Sequence, residues 1–310
     1  MVCLKGRDFL TLQDFTTEEI LFLLDTADDF KRKQKRNEPH KLLEGKTLAL
    51  IFQKPSTRTR VSFEVAMKQL GGFTLYLSWN ELQLGRGETI ADTARVLSRY
   101  VDCIMARVYS HSDLETLAEY ADIPVINGLS DLTHPCQALA DLMTIREKKG
   151  TFKDVKLAYV GDGGNNVAHS LLIAATKVGM NIAIGTPEKY LPNEKIMKWA
   201  LENAKKSNSK VEIVHDPKEA VDNADVIYTD VWVSMGMEKE MEERMKIFPP
   251  FQVNSKLLSY AKEDVIVMHC LPAHRGAEIT DDVIDGPHSV VWDQAENRLH
   301  AQKAILSLLI

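Results

Sequence analysis

From residue 47 onward the chain alternates short apolar runs with stretches of helical periodicity, and this alternation restricts the fold more than any other feature. In the first half, TLALIF (47–52), FTLYL (73–77), DCIMAR (102–107) and PVIN (124–127) read as strands, with helices expected near 57–70, 89–100, 112–120 and 136–148. An amphipathic helix of about residues 16–36, ended by NEPHK, precedes them. The second half repeats the pattern with VKLAYV (155–160), NIAIG, KVEIVH, ADVIYTDVW and EDVIVMHCLP. Strands joined through crossover helices pair in parallel, so the expected class is α/β, with mainly parallel sheets flanked by helices. At 310 residues the chain exceeds the size at which one hydrophobic core keeps growing, so two domains are expected. The charged, glycine-containing REKKGTFKD (146–154) is the expected linker, dividing the chain into 1–148 and 149–292 before a final helix.

Charge narrows the partners. A net charge of -6 argues against nucleic acid or an anionic membrane as the main partner, because both attract a basic face. A small anion needs only a local basic cluster. The N-terminus MVCLKGRDFLTLQDF lacks an apolar segment behind a basic start, and no run approaches eighteen apolar residues, so a cytoplasmic location is expected. Cys3, Cys103, Cys136 and Cys270 lie far apart with no C-x-x-C, which suggests neither a disulfide framework nor a zinc ribbon.

In open parallel sheets, ligands bind beyond the carboxyl ends of the strands, and the polar outliers of this sequence stand there. After TLALIF comes QKPSTRTR, in which Pro55 fixes the chain and Ser56 is a natural N-cap. The unpaired first-turn amides of the following helix, with Ser56, Thr57, Arg58 and Thr59, make an anion site that would suit phosphate. Arg107 ends the apolar run DCIMAR, and a shared sheet would bring it beside this cluster. His134 and Gln137 stand at the entrance of a helix whose first turn contains Pro135, spaced to face one ligand. The segment YVGDGGNNVAHSLL (159–172) has the glycine turn of a dinucleotide fold, but Gly185-Thr186 replaces the acidic residue expected at the end of the next strand. Gly161, Gly163 and Gly164 are therefore read as turn formers that expose Asn166. Asp230 and Ser234 fall on the loop after VIYT, and Cys270 follows VIVMH. Trp232 reads as packing, and GMEKEMEERMKIF as a largely solvated helix. WDQAENRLHAQKAILSLLI is an amphipathic closing helix with Arg298 near its start.

STRTR, ELQLGRGET, HPCQ, DVWVSMG and HCLP, in this order over essentially the whole chain, resemble the motifs of the aspartate/ornithine carbamoyltransferase family. HPCQ and SMG favour its ornithine branch. The resemblance implies one domain for carbamoyl phosphate and one for the amino acid. It also implies a C-terminal helix (293–310) returning to the first domain, and a homotrimer or multiple of trimers with active sites near subunit boundaries. Carried over to matching positions, it puts Ser56, Thr57, Arg58, Thr59, Gln83, Arg107, His134, Gln137, Cys270, Leu271 and Arg298 on carbamoyl phosphate. It puts Asn166, Asp230, Ser234 and Met235 on L-ornithine. Arg58, Arg107, His134 and Cys270 are the expected catalytic residues, with no cofactor and no metal.

The residues support ornithine independently. TDVWVSMG offers an acid and a hydroxyl with no cation, which suits an ammonium group better than the second carboxylate of aspartate. The expected reaction forms citrulline and phosphate, in arginine biosynthesis or in the reverse, catabolic direction. Carbamoyl transfer to another amine such as putrescine or aspartate is the alternative enzyme reading. A binding regulator that keeps the fold without turnover, or a nicotinamide-dependent dehydrogenase, are readings from other classes.

Overall fold

The computed structural model describes residues 2–234 and 238–310. Two compact units form: the first runs to Met143 and takes in Glu296–Ile310, and the second is Thr144–Ala295.

The first unit opens with α1 (Thr17–Lys35), whose N-cap Thr16 and Glu19 form a capping box. The chain then builds β1 (Thr47–Phe52), α2 (Thr57–Gln69), β2 (Phe73–Ser78), α3 (Ile90–Leu97), β3 (Cys103–Arg107), α4 (His111–Tyr120), β4 (Val125–Leu129) and α5 (Pro135–Lys149). Its four strands are all parallel, in the order β2-β1-β3-β4. TLALIF is apolar throughout because β1 is central and covered on both faces. Phe52 lies opposite Arg107, so the loops after β1 and β3 emerge side by side. The chain leaves β1 for one side of the sheet and returns on the other, which makes this the topological switch point where such sheets bind ligands. The free edge of β4 is covered by the N-terminal segment, with Phe9 N–H bonded to Val125 and Asn127 N–H to Phe9. The β2 edge is bare and apolar: Phe73 and Leu75 are exposed.

The second unit contains β5 (Lys156–Val160), α6 (Asn166–Val178), β6 (Asn181–Gly185), α7 (Glu194–Ser207), β7 (Val211–Val214), α8 (Pro217–Val221), β8 (Val226–Thr229), α9 (Met241–Ile247), α10 (Ser255–Leu258), β9 (Ile266–His269) and α11 (Asp281–Ile284). The five strands are parallel in the order β7-β6-β5-β8-β9, which places its switch point between β5 and β8. Trp232 packs against Phe248 in the core, as a packing residue should.

The last helix, α12 (Val291–Leu309), brings a polar set into the first unit. Lys31 Nζ donates to Asn297 Oδ1 at 2.7 Å, and the fully buried Lys303 donates to Gln34 Oε1 at 2.6 Å and contacts His40 Nε2 at 3.1 Å. Burial pushes the Lys303 ammonium down from its ordinary range to about 8. The unfolded chain therefore holds this proton more tightly than the folded one. Stability falls as pH drops from about 10.4 to the folded value, and the deficit is constant below it. Gln34 and His40 are only half-buried and can turn to water. Lys303→Met should thus stabilise the protein at neutral pH by an amount on the order of 2–3 kcal/mol, and denaturant unfolding should lose its slope between pH 8 and 10.

Candidate active site: two polar clusters

The anion cluster grows from the start of α2. Ser56 has extended backbone and its Oγ accepts from Thr59 N–H at 3.3 Å, so it caps the helix. Thr57 is exposed and Arg58 half-buried. Arg60 is used elsewhere: its guanidinium stacks 3.7 Å over Tyr76 and bonds Glu64 at 2.9 Å. The approach to the helix is braced by Gln53, whose Oε1 accepts from Tyr109 N–H at 2.7 Å, and by Lys54, buried 4.4 Å over the Tyr109 ring. Both tie the loop after β1 to the loop after β3.

Thr59, Arg107, His134, Gln137 and Arg298 are all at least 94% buried. Arg298 Nη1 donates to Gln137 Oε1 at 2.8 Å and Nη2 to Thr59 Oγ1 at 3.2 Å, so α12, α5 and α2 meet through one guanidinium. The segment before His134 is fixed from beneath. Asn127 Nδ2 donates to Leu10 O and Thr133 Oγ1, and Cys136 Sγ donates to the Asn127 carbonyl. Burial, then the charges of Arg298 and Arg107, hold the His134 imidazole well below its ordinary range. It is neutral at physiological pH and offers one N–H donor without a charge. Gln83, exposed on a short 3-10 turn (Gln83–Arg86), is not among the residues these hydrogen bonds join.

The second cluster lies at the ends of β5, β8 and β9. Gly161 adopts φ +141°, and a Cβ on Gly163 would stand 2.7 Å from the Tyr190 carbonyl, so the turn requires glycine at both positions. Gly163 N–H, which would face the pyrophosphate in a dinucleotide fold, is bonded to Thr186 Oγ1 at 3.0 Å. Asn165, not Asn166, caps α6: its Oδ1 accepts from Val167 N–H. The Asn165 amide then donates to Asp230 Oδ2 at 2.9 Å and Ser234 Oγ at 3.3 Å, joining two residues singled out from sequence through one that was not. Asn166 is half-buried at the first position of α6. Met235 lies outside the described residues. Asp230 Oδ1 accepts from Val231 N–H at 2.8 Å and from Cys270 Sγ at 3.1 Å. Cys270 is therefore half-buried beside a carboxylate and is not a core residue.

The chain after Cys270 is held by a buried carboxylate. Glu278 Oε1 accepts from His274 N–H at 2.6 Å and faces His269 Nε2 at 3.1 Å, while His269 Nδ1 accepts from Leu271 N–H at 2.8 Å. This orients the loop although Leu271 sits at φ +59°, a left-handed value uncommon for leucine. Asp230, His269 and Cys270 donor atoms lie within 4.8 Å of one another. Binding a cation there would take a ring nitrogen of His269 from Leu271 or Glu278, so this donor set suits hydrogen bonding rather than a metal.

The segment read as a largely solvated helix contains a buried charge. Arg244 of α9 is buried, with Nη1 donating to Asp162 Oδ2 at 2.5 Å and to the Trp232 carbonyl at 2.8 Å. It braces the glycine turn against the loop after β8. Arg244→Met should cost about 3–5 kcal/mol by stranding the Asp162 carboxylate, whereas Arg244→Met combined with Asp162→Leu should recover most of the loss. Denaturant unfolding of the three proteins checks this.

A family model described as the carbamoyl-P binding domain of aspartate/ornithine carbamoyltransferase matches residues 7–147, and one described as its Asp/Orn binding domain matches residues 153–309. The ornithine carbamoyltransferase of Pyrococcus horikoshii is 68% identical over 310 residues, covering 100% of this chain and 98% of its own. That of Pyrococcus furiosus, named anabolic, is 69% identical over the same lengths. A solved structure of ornithine carbamoyltransferase from Pyrococcus furiosus, 69% identical, matches 100% of this chain and 98% of its own with a TM-score of 0.97.

Proposed function

The chain belongs to the aspartate/ornithine carbamoyltransferase family, and from that premise we propose that its two clusters bind carbamoyl phosphate and L-ornithine, with the carbamoyl group passing to the δ-amine to give L-citrulline and phosphate. The observation that carries the reading is the buried set of Thr59, Arg107, His134, Gln137 and Arg298 beside the capped start of α2.

The phosphate dianion sits on the amides and side chains of Ser56, Thr57, Arg58 and Thr59, with Arg107 beside it. Thr59, Arg107 and His134 polarise the carbamoyl oxygen and stabilise the oxyanion of the tetrahedral intermediate, and Gln137 Oε1 accepts from the carbamoyl NH2. The neutral δ-amine forms the new C–N bond, the C–O bond to phosphate breaks, and the leaving phosphate takes the amine proton. A free alkyl amine has a pKa of about 10.4, so turnover should rise with pH across the neutral range. In the other cluster, Asp230 and Ser234 accept from the α-ammonium and the Asn166 amide donates to the α-carboxylate.

An acceptor panel tests the assignment. With carbamoyl phosphate fixed, ornithine should exceed putrescine and aspartate in kcat/KM by at least about 10²-fold, because putrescine lacks the α-carboxylate and strands buried polar atoms, while the loop after β8 offers no cation for the second carboxylate of aspartate. Faster carbamoylation of either competitor, scored by product and released phosphate, overturns it.

We also place the enzyme in the cytoplasm as a homotrimer or a multiple of trimers. Exposed Phe73 and Leu75 of the edge strand β2 offer an apolar edge suited to a second copy. Light scattering should give about three times 34.9 kDa or a multiple of that. All four cysteines are free, in keeping with a reducing compartment, and no helix among the described residues is long and apolar enough to cross a membrane. The name of the anabolic relative supports a role in arginine biosynthesis.

A further inference from the structure

One turn beyond Gln137 on α5 stands Asp141, a carboxylate with no exposed surface. Its Oδ1 accepts from Gln137 Nε2 at 2.8 Å. The other end of the same amide, Gln137 Oε1, accepts from Arg298 Nη1 at 2.8 Å, and Arg298 Nη2 donates to Thr59 Oγ1 at 3.2 Å. The four side chains thus form a directed series in which every proton position follows from chemistry. A glutamine amide has two ends of nearly equal shape, and its partners decide which way it faces. A guanidinium only donates and an ionised carboxylate only accepts, so between Arg298 and Asp141 one orientation is allowed. Thr59 Oγ1 already accepts from Arg298, which turns its own O–H toward another acceptor.

From this geometry we infer that Asp141 is a positioning residue for carbamoyl transfer. By accepting from Nε2 it keeps the Gln137 oxygen turned toward Arg298, where its second lone pair can accept from the carbamoyl NH2. Through Arg298 the same series leaves the Thr59 hydroxyl hydrogen available to the carbamoyl oxygen. Asp141 itself touches neither group. An amide at this position is a neutral acceptor that can also turn its own NH2 toward Gln137 Nε2, so Gln137 would no longer be held firmly from this side. The inference rests on the reading that carbamoyl phosphate binds at this cluster.

The test exchanges hydrogen-bond polarity, and its double variant does so while keeping the charge. Asp141→Asn, Gln137→Glu, the double variant Gln137→Glu/Asp141→Asn, and Gln137→Leu are compared with the parent enzyme for kcat, KM of each substrate and melting temperature. Asp141→Asn should lower kcat/KM for carbamoyl phosphate by about 10²-fold through misplaced groups, with the KM of ornithine unchanged. Gln137→Glu, which sets two carboxylates together, should lose at least as much. In the double variant the amide at 141 donates to the carboxylate at 137, which accepts from Arg298 as before, so at least tenfold of the activity lost in Gln137→Glu should return.

The idea fails if Asp141→Asn stays within about twofold of the parent while Gln137→Leu is impaired. It fails equally if the double variant, folded and of normal melting temperature, is no better than Gln137→Glu. Should Asp141→Asn not fold, that second comparison decides. An unimpaired Gln137→Leu would instead sink the carbamoyl phosphate assignment beneath it.

Discussion

Replacing Arg58 by glycine is expected to lower citrulline formation by about 10³-fold and leave the protein folded. The two halves of this expectation have separate physical grounds. Among the described residues, the Arg58 side chain makes no hydrogen bond or ion pair within the chain, whereas Arg60, two positions on, is committed to Glu64 and the Tyr76 face. Arg58 is half-buried in the first turn of α2, where glycine costs at most about 1 kcal/mol in backbone freedom. The melting temperature should therefore drop by only a few degrees. Catalysis should lose more, because in the proposed binding mode the planar guanidinium bonds the phosphate, a contact that solvent does not reproduce. Steady-state assays with saturating ornithine and a thermal melt together check the claim. Normal turnover in Arg58→Gly would refute the role, and loss of the cooperative melt would make the residue structural.

The elements that carry these residues were legible because they obey local rules. Strand runs, the Ser56 cap, and Pro135 opening a helix are each set by neighbours within a few positions, and all stand where the sequence placed them. The pairing of Phe52 with Arg107 was half-legible: strand order had to be assumed before Arg107 could be set beside the α2 start. Hydrophobicity alone misleads at β2, where FTLYL reads like TLALIF but lies on an exposed edge. Two of the contacts that sequence reasoning did not single out join partners distant in the chain. Asp162 meets Arg244 across 82 positions, and Asn165 meets Asp230 across 65. Glu278 in RGAEIT and Asp141 in ALADL carry no local sign of burial, since a surface carboxylate would be written the same way. Asn165 did leave a signal, as an asparagine before an apolar helical run is a cap, but the adjacent Asn166 offers the same letter.

The second large effect is expected at Asp230. Its carboxylate receives three donors, from Asn165 Nδ2, Val231 N–H and Cys270 Sγ, so both oxygens are fixed before a ligand arrives. Asp230→Asn keeps the shape but turns one acceptor into a donor, which must then face one of those donors. It also removes the negative charge that Asp230 would offer to an α-ammonium. Leaving a buried charged group unpaired costs about 3 kcal/mol or more, which corresponds to a rise of about 10²- to 10³-fold in the KM of ornithine. Carbamoyl phosphate binding without ornithine, followed by calorimetry, should change far less, since of its expected ligands only Cys270 bonds to Asp230 and those of the anion cluster do not. Asp230→Ala separates the two causes: it removes the charge without adding a donor, so it should be less impaired than Asp230→Asn if opposed donors matter. An ornithine KM within a few fold of the parent in both variants would remove Asp230 from the amino-acid site. The acceptor's charge would then have to be met elsewhere.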